Sequence, residues 1–72
     1  MIKLTDSGAG IYGIIRDEER IGTAYLRMRY KPAEHIPVGF VITIRLRSGK
    51  YIKDVARTVP EAKEKIIERK RW

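Results

Sequence analysis

The chain has 72 residues and contains no cysteine, one histidine, one tryptophan and one phenylalanine. Without cysteine there is neither a disulfide nor a thiolate metal site, and a lone His35 cannot form a histidine cluster. Long apolar runs are missing as well. The longest, Phe40 to Ile44, falls far short of the roughly 20 residues that span a bilayer. No basic leader followed by an apolar segment and a small-residue cleavage site is seen, so the expectation is a cytoplasmic protein with no membrane partner. Carboxylates are outnumbered: 9 Asp plus Glu face 16 Lys plus Arg, a formal charge of +7 at pH 7. That imbalance attracts polyanions without choosing among DNA, RNA and an acidic protein.

What is present is a two-residue alternation. Successive strand side chains point to opposite faces of a sheet, so the runs YLRMRY (25–30) and TIRLR (43–47) separate an apolar face from an arginine face. In the first run Ala24, Leu26, Met28 and Tyr30 oppose Thr23, Tyr25, Arg27 and Arg29. In the second, Phe40, Ile42, Ile44 and Leu46 oppose Val41, Thr43, Arg45 and Arg47. IYGII (11–15) is also strand-like, with Gly13 marking a bulge or a close backbone approach. RDEER (16–20) reads as a polar connector that lets 11–16 and 21–30 pair as a hairpin, and KPAEHIP (31–37), with its two prolines, reads as a loop. Residues 1–10 are a short edge strand or a flexible tail, and residues 11–72 form one small domain.

After the SGK turn (48–50) and the strand YIKDVA (51–56), the period changes. Thr58 is a helix cap, Glu61 its capping-box partner and Pro60 a first-turn residue, followed by the stripe Val59, Ala62, Ile66 and Ile67. Trp72 is expected to fold back over the core edge. The fold class is therefore α+β: an antiparallel sheet of three to four strands, packed on one face by a single C-terminal helix. The last strand has two registers. A three-residue turn places Tyr51, Lys53 and Val55 beside the outer arginines and Asp54 on the helix side, whereas a two-residue turn turns Ile52 and Asp54 outward and Lys53 inward. The first is preferred because Ile52 and Ala56 then join the core.

No constellation points to an enzyme. His35 lies in a proline-bounded loop and is read as exposed, and the carboxylates Asp17, Glu18 and Glu19 are read as a soluble hairpin tip rather than a metal site. GAG (8–10) and SGK lack the strand-to-helix context of a phosphate loop. No cofactor is expected. The signal above this background is the basic face: Arg27, Arg29, Arg45 and Arg47, with Lys50, Lys53 and Arg57 nearby and Tyr25 and Tyr51 among them. Guanidinium forks match phosphate oxygens and guanine edges, so duplex DNA is the expected partner, with Arg27 and Arg45 nearest the bases. The bland alternative is a solvated face whose alternating Arg and Thr protect exposed strands from aggregation.

The order of a strand pair, the turn, a final strand and the helix opening TVPEAKEKI resembles in outline plant AP2-type domains and the arm-binding domains of tyrosine recombinases, over residues 11–71. The resemblance is one of topology. It implies a small accessory DNA-binding protein, of phage or mobile-element origin, and carries over no functional position. Two further readings stand beside it. One is an inhibitor or adaptor docking on an acidic protein surface. The other is RNA or single-strand binding by stacking on Tyr25 and Tyr51, although an RRM would need a second helix between its strands. An open sheet edge is also expected to support weak homodimerisation.

Overall fold

A computed structural model describes residues 1–69. The expectation for Trp72 lies outside them. Five strands, β1 (Ile2–Asp6), β2 (Ile11–Arg16), β3 (Glu19–Lys31), β4 (Ile36–Leu46) and β5 (Tyr51–Ala56), form one antiparallel meander in sequence order. The helix α1 (Val59–Ile67) follows and covers one face. IKL at the N-terminus thus belongs to a fifth strand, with Leu4 opposite Ile14 and packed against the core. Among the described residues no helix is long and apolar enough to cross a membrane.

The core lies between α1 and the inner sheet face. It consists of Tyr12, Ile14, Ala24, Ile42, Ile44 and Ala56 from the strands, with Ala62 and Ile66 from the helix. The helix begins as its sequence dictates: the Thr58 hydroxyl accepts from the Glu61 amide at 3.2 Å. The Glu61 carboxylate reaches back one residue further than a capping box requires, and accepts from the Arg57 amide at 3.0 Å. Ile67 is exposed, so the helical stripe is narrower than its sequence suggests.

The register of β5 is the three-residue-turn alternative. Tyr51 faces Arg45, Lys53 faces Thr43 and Val55 faces Val41, while Asp54 sits beside Ile42 on the helix side. Opposed residues of an antiparallel pair share a face, so Tyr51, Lys53 and Val55 point outward. Lys65 of the helix answers the inward Asp54. Its Nζ donates to the Val55 carbonyl at 2.6 Å and stands 3.8 Å from the Asp54 carboxylate.

Three expectations about strand limits are corrected. RDEER is not a connector: only Asp17 and Glu18 turn, both at positive φ, and Glu19 and Arg20 already belong to β3. KPAEHIP is a loop only at 32–35, because Lys31 pairs with Ile36 and Tyr30 with Pro37. Arg47 lies beyond the end of β4, in the turn, where its guanidinium meets Glu19 at 3.4 Å. The burial of Met28 is corrected as well: it is 48% exposed, because β2 has ended on one side of it and β5 ends in its row on the other. β2 pairs with β3 no further than Tyr25, and β5 pairs with β4 no further than Phe40. Residues 27–38 are all exposed, and from Arg29 and Gly39 outward the two long strands pair only with each other. They form an arm on the five-stranded body, and body and arm together extend 42 × 23 × 22 Å.

Candidate nucleic-acid interface

Cross-strand pairing lays out the outer face in rows. Thr5, Gly13, Thr23, Arg45 and Tyr51 form one row, Ile11, Tyr25, Thr43 and Lys53 the next, and Arg27, Val41 and Val55 a third. Arg29 follows opposite Gly39 at the base of the arm. Of the residues singled out in the sequence, Tyr25, Arg27, Arg29, Arg45, Tyr51 and Lys53 therefore share this face. Arg47 and Lys50 lie in the turn between β4 and β5, and Arg57 lies one residue past β5 with its side chain exposed.

Two shallow hollows open on the face and share Tyr25 and Arg45. The first, about 400 Å³, is bordered by Arg20, Thr23, Arg45 and Arg47. The second lies between Tyr25, Arg27 and Tyr51. The first brings three guanidinium groups around one concavity, an arrangement that suits a phosphate or another planar-donor acceptor. Arg20 is partly fixed: its Nη2 donates to the Thr23 hydroxyl at 3.0 Å.

Arg20 falls within RDEER, which reads as a connector in the sequence, and extending the strand alternation back to it would still misplace it. A bulge between β2 and β3 sets Ile14 opposite Gly22 but Ile15 opposite Arg20, which moves Arg20 onto the same face as Thr23. Simple alternation puts it on the other face. Gly13 carried the one available signal. A Cβ there would lie 2.5 Å from the Thr5 hydroxyl oxygen and 3.4 Å from the Arg20 guanidinium carbon, so glycine lets both side chains close over the backbone. Lys3 of β1 was missed too, and it faces outward opposite Ile15.

The charges segregate. Asp6, Glu19 and Asp54 fall on the helix side of their strands, Glu61, Glu64 and Glu68 belong to the helix and its cap, and Asp17, Glu18 and Glu34 sit in turns. The outer strand positions hold Lys3, Arg20, Arg27, Arg29, Arg45 and Lys53, and no carboxylate among the described residues. Of the nearby cations, Arg47 is paired with Glu19, whereas Arg27, Arg29, Arg45 and Lys53 have no carboxylate within ion-pair distance among the described residues. The face is not wholly ionic, because Val41 and Val55 lie side by side on it. No protein-family model, no curated protein and no solved structure matches the chain.

Proposed function

We propose that this is a non-enzymatic DNA-binding protein that holds duplex DNA on the outer face of its sheet. The observation that carries the reading is the separation of charge: cations without carboxylate partners occupy one face, and the acids lie on the helix side or in turns. A solvated protective face needs alternating polar residues but gains nothing from excluding one sign of charge, since mixed signs keep strands equally soluble. A polyanion is favoured by that exclusion. Arg27, Arg29, Arg45 and Lys53 meet the DNA in this reading, and Tyr25 and Tyr51 supply flat surfaces between them.

The test replaces Arg27, Arg29, Arg45 and Lys53 together by Gln and measures binding to duplex DNA across a salt series. The fold should survive, because all four side chains are exposed. Affinity should fall by about 100-fold or more at low salt, and the slope of log K against log salt should flatten by about 3 to 4. A folded variant with unchanged affinity and slope rejects the site. The adjacent valines Val41 and Val55 favour a second reading, in which the face docks on an acidic protein. Single-stranded DNA, RNA and an acidic protein belong in the same series. Wild-type binding to the acidic protein alone selects the second reading, and preference for a single strand selects stacking on Tyr25 and Tyr51.

A further inference from the structure

The width of the body sets a geometric problem for duplex binding. Strands about 4.8 Å apart place β1 and β5 about 19 Å from each other, while the major groove of B-DNA is about 12 Å wide. The five-stranded body can lie on the backbones but cannot enter the groove. The arm is different. From Arg29 and Gly39 outward it is a two-stranded ribbon of the width a major groove admits, and residues 29–31, at about 3.4 Å each, extend further than the groove's depth of about 8.5 Å.

Its side chains suit that position. Arg27, Arg29 and Lys31 carry charge, and Glu34 is the one carboxylate among residues 27–39, already 3.4 Å from Lys31. Met28, Tyr30, Ile36 and Val38 are each about half exposed. Apolar groups of this kind meet thymine methyls and the stacked edges of bases. A second copy is a poorer occupant, since pairing two arms would bring their cations together with only the two Glu34 carboxylates to offset them.

The base of the arm is also specified. Arg29 faces Gly39 but Tyr30 faces Pro37, so β4 carries one extra residue at this point. Gly39 adopts φ +138°, and a Cβ there would lie 2.5 Å from the Ala56 carbonyl oxygen. A bulge bends and twists its strand, so the arm leaves the body at a fixed angle rather than as a simple extension.

We infer that the tip of the β3–β4 arm, residues 29–39, enters the major groove of duplex DNA while the outer face of the body holds the flanking phosphates. The inference rests on the duplex-binding reading and adds a groove to it. Two 20-base-pair duplexes of one sequence test it, one unmodified and one whose cytosines carry glucosylated hydroxymethyl groups that fill the major groove and leave the phosphates unaltered. Wild type should bind the open duplex about tenfold or more tightly than the filled one. A variant with residues 30–38 replaced by Asn-Gly, a pair suited to a two-residue hairpin turn, should bind both duplexes alike and remain salt-dependent. Equal binding of both duplexes by wild type overturns the arm placement and leaves duplex binding standing. No binding of either at low salt removes the duplex reading itself. Sedimentation in the absence of DNA provides a further check: a wild-type dimer that the shortened arm abolishes assigns the arm to a second copy and overturns the inference.

Discussion

β3 and β4 are each half body and half arm, and the two halves obey the same alternation with opposite results. Ile42 and Met28 both occupy inner positions, yet Ile42 is 1% exposed and Met28 is 48% exposed. The difference lies in the neighbours. Around Ile42 the sheet continues on both sides, through Leu26 and Asp54, and α1 closes over it. Beside Met28 β2 has already ended, and β5 closes the row with its last residue, Ala56. Alternation decides which way a side chain points; the company of further strands and a helix decides whether that direction is dry.

Truncating one inner residue in each half gives the widest contrast. Ile42→Ala should lower unfolding free energy by about 2–5 kcal/mol, much of what a domain this small possesses. Met28→Ala should cost under about 1 kcal/mol because about half of its surface is already in water. Urea unfolding of both measures the gap, and equal losses would show that the arm is packed in solution.

Gly39→Ala probes the boundary between the halves. A Cβ directed at the Ala56 carbonyl, on a backbone that side chains rarely adopt, should cost about 1–3 kcal/mol. Amide exchange should accelerate first around Phe40 and Ala56, and no change there would mean that the arm base relaxes freely. Thr58→Ala is the mildest. Loss of the cap should remove about 1 kcal/mol from the body by loosening the start of α1. The arm should keep its own exchange rates, because α1 does not cover it.

These contrasts also show which parts of the molecule the sequence exposes to a reader. The faces of β3, β4 and β5 follow from period two, and the helix start follows from Thr58 and Glu61, because each is a local rule. Met28 and Tyr30 continue the inner pattern without interruption, and nothing within their own run records that β2 stops short of both and β5 short of Tyr30. Arg20 is hidden by a bulge that depends on pairing between two strands, with Gly13 as its only trace. Asp54 looks like an intruder until Lys65, eleven residues on, is brought above it by the helix. Most of the candidate face was therefore legible, whereas its rim at Arg20 and Lys3 and the separate character of the arm required the sheet to be assembled.

Segregated charge also affects encounter before any contact forms. The helix α1 carries Lys63 and Lys65 beside Glu61 and Glu64 and is itself close to neutral, while the outer strand positions bear only cations among the described residues. Such a distribution has a direction as well as a magnitude. In the field of a polyanion it exerts a torque, turning the diffusing protein so that the sheet leads and the helix trails. Productive collisions then become a larger share of all collisions, and association slows as added salt shortens the distance over which that torque acts.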